Sequence, residues 1–286
     1  MLSLGLAVAF FGMLMFTLGD FLSKHMSSRI GNKRSALAIL SANVIPLLLG
    51  GYAIGFGDVD ATGAAFAVAG GIANAVAYLL FFKSLETEQV SNTLSLAGVE
   101  YLLITLLSIL LLGEAVNGVV VLAFAGIFIG AFLATTGKRF EFNSGYIPAI
   151  GGMVFFGITW ILMAFAEKAS PGIFTLLLIN SFTAILILFA YLKAYPERSS
   201  RFRIGKDAFY RLAIVGLAMG IAAGLGRTSL ILMAKLNFLA IGSAIYAIEP
   251  AVIIFLGYLI YKDRFQGHQI VGFAMLILAA VALSLA

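Results

Sequence analysis

Ten apolar runs of about twenty residues each constrain this chain more than any other feature of its sequence. They lie near residues 3–22, 35–56, 62–82, 91–112, 118–136, 145–166, 171–192, 208–233, 238–261 and 268–285. An α-helix rises 1.5 Å per residue, so twenty residues cross a hydrocarbon core of about 30 Å, whereas a barrel strand needs only about ten residues of strict alternation. The chain is 62% hydrophobic and 11% charged, with a mean hydropathy of +1.08. A water-soluble domain could not hide so much apolar surface. The expected fold is therefore an all-α integral membrane protein of ten transmembrane helices. The segments 57–60, 113–117 and 193–207 are the places polar enough to leave the bilayer.

The runs fall into two related sets of five. Displacing residues 70–137 by 149 positions without a gap lays them on 219–286; Gly71-Ile72-Ala73 meets Gly220-Ile221-Ala222, Glu100 meets Glu249, Glu114 meets Asp263 and Phe124-Ala125 meets Phe273-Ala274. A second displacement, of 140, lays Gly12-Met13 on Gly152-Met153 and Asp20 on Trp160. Because five is odd, the second unit enters the membrane with the opposite topology, and repeat-related residues face each other near the midplane. The expected division is one five-helix repeat over residues 1–140 and a second, inverted repeat over 141–286.

A net charge of +5 suggests nucleic acid only until the basic residues are located. The odd-numbered loops hold Lys24, Arg29, Lys33 and Arg34, then Lys83, then Lys138 and Arg139, then Lys193, Arg198, Arg201, Arg203, Lys206 and Arg211, then Lys262 and Arg264. The even-numbered loops hold only Lys168 and Lys235. Anionic lipid and the positive-inside rule account for this bias, which places the odd loops in the cytoplasm and both termini outside a multi-pass protein of the cell membrane. The first run lacks a basic leader and an Ala-x-Ala cleavage site, and reads as a retained helix. With no cysteine, disulfides, thiolate metal sites and thiol catalysis are excluded.

An acidic residue stands in the tight turn after the fourth helix of each unit, at Leu112-Gly113-Glu114 and at Lys262-Asp263, with Glu249-Pro250 upstream of the second. A five-helix unit of this kind, repeated once, resembles the drug/metabolite transporter superfamily and, within it, the EamA-type ten-helix group. The resemblance covers essentially the whole chain and is best defined in the fourth and fifth helices of each unit. It implies a central cavity lined by the third, fourth, eighth and ninth helices with the first and sixth. Two features depart from the family pattern. Tyr101 stands where the first unit often carries a proline, and the basic bias puts the termini outside, whereas many relatives keep theirs in the cytoplasm.

Intramembrane ionisable groups are the first candidates for function, because a bare charge there costs several kcal/mol and must be protonated, paired or faced by water. Glu249 lies about eleven residues from either end of its run, roughly 16 Å in, with Tyr246 one turn earlier. Glu100 is its repeat partner, with Tyr101 and Asn92 as local hydrogen-bonding candidates. Either glutamate could instead pin helices together as a neutral group. Arg227 follows Gly224 and Gly226 and lies opposite Tyr78 by repeat symmetry. It suits a substrate carboxylate or a pair with Glu249; the alternative is snorkelling to the interface. Gly216, Gly220 and Gly224, spaced by four, permit close helix approach. Trp160, the sole tryptophan, sits deep in the sixth run, where it lines a polar cavity or fills the core. Asp20 reads as an interfacial anchor beside Lys24. Asn43, Asn74 and Asn180 are buried amides that could bind a ligand or, as is more usual, join helices.

Several motifs fail on context. Gly55-Phe56-Gly57-Asp58 spells an intramembrane aspartyl-protease motif, but Asp58 falls in a short polar loop beside Asp60. His25 and His268 lie at helix ends without zinc-hydrolase spacing, and no Walker sequence occurs. The expected function is a secondary transporter, not an enzyme, without cofactor or bound metal, acting as a monomer or homodimer by alternating access. The substrate or proton site would comprise Glu100, Glu249, Arg227, Tyr78, Tyr246, Trp160, Asn74 and Asn180. Amino acids or small amines fit such a site, with proton coupling or exchange as the driving mode. The alternatives are a magnesium-like divalent-cation pathway, disfavoured by an arginine near two carboxylates, a channel, and, outside transport, an intramembrane enzyme, disfavoured by the absence of a catalytic set.

Overall fold

Short polar links break the apolar runs at positions where the side chains themselves can end or start a helix. The computed structural model describes residues 2–30, 32–87, 97–135, 146–195, 206–253, 255 and 266–285. Among them every regular element is helical: α1 (Leu2–Ile30), α2 (Asn32–Ile54), α3 (Ala61–Thr87), α4 (Ala97–Leu112), α5 (Gly118–Thr135), α6 (Tyr146–Ala169), α7 (Ile173–Ala194), α8 (Lys206–Lys235), α9 (Leu239–Tyr246) and α10 (Gly267–Leu285). Six helices are long and apolar enough to cross a membrane, and shorter apolar helices cover Leu4–Asp20, Val99–Leu112, Leu239–Ile253 and Gly267–Leu283. Asn92, the Lys262-Asp263 turn, and the basic residues Lys138, Arg139, Arg198, Arg201, Arg203 and Arg264 lie outside the described residues.

The caps explain the boundaries. Asp60 Oδ1 accepts the Gly63 N–H at 2.6 Å and starts α3; Asn117 Oδ1 accepts the Val120 N–H at 2.9 Å and starts α5. Gly113, at φ +72°, takes the left-handed position that closes α4. Asn237, at φ +52°, does the same for α8, where the Phe238 N–H returns to the Met233 carbonyl at 2.8 Å. Helix ends and apolar ends differ at α1, which continues past residue 22 to Ile30, because hydropathy marks depth in lipid and not the end of hydrogen bonding. The ninth run is not one continuous helix. It stops at Tyr246, turns through residues 247 and 248, and resumes as helix at Glu249. Pro250 has no N–H to offer the Tyr246 carbonyl, which places the break at the glutamate.

Packing repeats with the two halves exchanged. The α3–α6 contact recurs as α8–α1, α2–α8 as α7–α3, and α4–α6 as α9–α1, while α2–α7, α4–α9 and α5–α10 each join a helix to its own counterpart. Glycine sets the closeness. A Cβ on Gly220 would strike Ala42 and one on Gly224 would strike Pro46, so these two carry α2, while a Cβ on Gly12 would overlap the Tyr246 hydroxyl and Ser229. In α5 and α10 the small residues Gly126, Gly130, Gly272 and Ala279 meet directly. Outward faces carry apolar side chains such as Leu110, Leu122 and Leu278, each about 70% exposed or more. These suit lipid and not water, and the exposed Tyr52 and Tyr195 stand near the ends of α2 and α7, as the residues of an aromatic belt would.

The short links on one face are tied across the two halves. Both Glu114 carboxylate oxygens accept backbone N–H groups at the start of α9, from Leu239 at 3.0 Å and Ala240 at 2.8 Å. Burial raises the Glu114 carboxyl above its ordinary range, and these two N–H groups oppose that shift. Ser170 Oγ donates to Asp60 Oδ1 at 2.6 Å and accepts the Asp60 N–H at 3.0 Å. That hydroxyl first, and the Gly63 N–H next, hold Asp60 below the usual carboxylate range. Thr175 Oγ1 donates to the Phe56 carbonyl at 2.9 Å, and Lys168 Nζ to the Leu112 carbonyl at 2.9 Å.

Candidate functional site

A cavity opens among helices of both halves. Phe16, Gly19 and Asp20 come from α1, Asn74 and Tyr78 from α3, Glu100 and Tyr101 from α4, Trp160 from α6, and Ala223 and Arg227 from α8. Further lining residues, Ile39 near the start of α2, Phe81 near the end of α3 and Met153 near the start of α6, place the cavity toward the odd-numbered loops. Small residues of α1 and α8 face each other here, and a Cβ at Gly19 would reach ordinary contact distance from Ala223 and the Met219 carbonyl oxygen. Aromatic rings form its walls: Tyr78 meets Phe156 edge-on at 5.0 Å, and Phe16 meets Trp160 at 6.4 Å.

The two glutamates are held differently. Trp160 Nε1–H donates to Glu100 Oε1 at 3.1 Å, so the deep indole has the acceptor it needs. Tyr101, next in sequence to Glu100, turns its hydroxyl to Glu249 and donates to Oε2 at 2.5 Å. Glu249 is 2% exposed and stands behind Tyr101, not on the cavity wall. Its Oε1 receives no hydrogen bond from a protein donor. The Asp20 carboxyl lies within hydrogen-bonding reach of the Glu249 carboxyl.

Arg227 is 3% exposed, which rules out snorkelling. Its Nη2 donates to Asn180 Oδ1 at 2.9 Å and its Nη1 contacts Ser181 Oγ at 3.3 Å. The guanidinium carbon also lies 5.4 Å from the centre of the Trp160 ring, a cation–π contact. A guanidinium has five donors, and these bonds use two. Asn74 Nδ2 donates to the same Asn180 oxygen at 3.2 Å, so Asn74 holds the amide that orients the arginine. No carboxylate pairs with Arg227 directly among the described residues.

Of the eight residues expected from sequence, Glu100, Tyr78, Trp160, Asn74 and Arg227 line the cavity, while Glu249, Tyr246 and Asn180 stand behind the lining. The Tyr246 hydroxyl donates to the Gly226 carbonyl at 3.2 Å and its ring meets Phe16 at 5.6 Å, which fastens the broken helix to α1 and α8. Asn43 joins helices as well: with its amide assigned so that the nitrogen faces carbonyl oxygens, it donates to Gly220 at 2.7 Å. Asp20 departs from the expectation of an interfacial anchor. Its place near the end of an apolar run points to the membrane surface, but α1 continues beyond it and Asp20 faces inward. The signal that could have found it was its repeat equivalence to Trp160: the two equivalents each touch one of the two equivalent glutamates. Among the described residues no group of three His, Cys, Asp or Glu side chains is arranged to hold a metal ion.

A model of the EamA-like transporter family matches the chain twice, over residues 3–136 and 143–285. The chain belongs to the EamA-like transporter family. It is therefore a membrane transporter of the drug/metabolite type and carries two EamA units. No curated protein matches it. Solved structures do, and one described only as "Crystal structure of protein" aligns over 99% of this chain and 97% of its own with a TM-score of 0.78 at 14% identity. At that identity the likeness shows that the EamA chain shares that protein's fold, and nothing about cargo.

Proposed function

We propose that the protein is a secondary transporter that carries small amino- or amine-bearing metabolites by alternating access. The observation that carries this reading is the convergence of Asp20, Glu100 and Arg227 on one aromatic-walled cavity deep among the helices. Carboxylates and ring faces suit an organic ammonium group, and the free donors of Arg227 suit a carboxylate at the other end of a zwitterion. In this reading ten helices cross the membrane as two inverted repeats, residues 1–140 and 141–286, about an axis in the membrane plane. The exchanged packing of the helices and the break at Glu249 support it, since interrupted helices at the repeat interface are a common way of building such sites. Purified protein in liposomes should exchange an internal labelled amino acid or diamine for the same external compound. Uptake of magnesium alone, with no exchange of any amine or amino acid, would favour the divalent-cation pathway and overturn the proposal.

Orientation has its own test. The odd loops are basic, so the chain is proposed to sit in the cell membrane with its termini outside. In this cysteine-free chain a cysteine at Asp60 is expected to react with an impermeant maleimide added to intact cells, and cysteines at Asn32 or Ser200 only after permeabilisation. The reverse pattern would show the orientation common among relatives.

A further inference from the structure

The site holds the same contact twice with different chemistry. Asp20 and Trp160 are repeat equivalents, as are Glu249 and Glu100, and each member of the first pair touches a member of the second from the opposite half. Trp160 meets Glu100 with an N–H, a donor that satisfies a carboxylate and carries no exchangeable charge. Asp20 meets Glu249 with another carboxyl. Two ionised carboxylates cannot bond each other, so this contact needs a proton between them. The remaining donor to Glu249 is accounted for: Tyr101 supplies its hydroxyl to Oε2, and Oε1 has none from the protein.

We propose that Asp20 and Glu249 form a shared proton-binding site that joins the two halves, leaving Glu100, already bonded to Trp160, to receive the cationic end of the cargo. This rests on the transporter reading above and names its coupling ion. Asp20 belongs to α1 in the first half and Glu249 to the broken helix in the second, so a bound proton closes a bond across the interface. Loss of that proton leaves two like charges side by side and drives the halves apart there. The pair changes from one negative charge to two as the proton leaves to water, and no other bond is made or broken. The groups facing it are Glu100 and Tyr101 on α4, Tyr78 on α3, Tyr246 on α9 and Arg227 across the cavity on α8. Of these, the carboxyl of Glu100 and the guanidinium of Arg227 set the local field, and both are fastened to neutral partners.

Infrared difference spectra of the detergent-purified protein read the pair without any cargo. A titrating carboxylic-acid C=O band is expected in the wild type. It should be lost or displaced by at least one pH unit in both Asp20→Asn and Glu249→Gln, and persist in Glu100→Gln. A band untouched by Asp20→Asn, or removed only by Glu100→Gln, would overturn the proposal. In liposomes, Asp20→Asn should lose accumulation of a labelled amine or amino acid driven by a pH gradient, and undiminished accumulation would overturn the proposal. Failure of every such compound to exchange in the wild type would defeat the transporter reading and leave the infrared result standing on its own.

Discussion

Glutamine at position 249, or at position 100, should leave a folded protein that no longer accumulates cargo along an imposed gradient. The amide oxygen can still accept the Tyr101 hydroxyl at 249 and the Trp160 N–H at 100, so the packing of α4 against α6 and α9 is retained. What disappears is the ability to hold a proton or a cation. Gradient-driven uptake into liposomes should fall by about tenfold or more in each variant, equivalent to at least about 1.4 kcal/mol, with the elution profile and helical content of the wild type. Wild-type flux in both variants would remove the carboxyls from the mechanism and leave them as helix pins.

Arg227→Lys separates a zwitterionic cargo from a simple amine. Lysine keeps the charge but cannot donate in a planar fork while also reaching Asn180 and stacking over Trp160. If the guanidinium grips a substrate carboxylate, the change should cost about 2 kcal/mol, roughly thirtyfold in affinity for an amino acid. Affinity for the matched decarboxylated amine should stay the same or rise. Ligand-induced thermal shifts for the two compounds in wild type and variant measure the difference. Equal shifts throughout would assign Arg227 to the scaffold that orients α7 and α8.

The helices were legible because lipid demands apolar runs of fixed length, and the burial of Glu100, Glu249 and Arg227 followed from position within those runs. Partners were not legible to the same degree. Tyr101, adjacent to Glu100, serves Glu249 instead, because neighbours in a helix point about 100° apart and a phenol reaches across to the facing helix. Asp20 was hidden by its place at the edge of an apolar run, although the helix continues and turns it inward. Hydropathy treats residues 238–261 as continuous, yet Pro250 breaks the helix beside Glu249. Sequence marks Glu114 as a turn residue, but its role across the halves depends on where the α9 backbone N–H groups arrive, which spacing alone does not specify.

The ties among the short links bear on the empty carrier. Glu114 to α9, Ser170 to Asp60, Thr175 to Phe56 and Lys168 to Leu112 must all part if the cavity is to face the other side. Each is worth on the order of 1 kcal/mol, and only a bound cargo that prefers the opposite state can offset them. Under alternating access the unloaded return would therefore be the slow step of the cycle. Such a protein swaps one cargo for another faster than it moves either in one direction, so cargo on the far side should accelerate release from the near side.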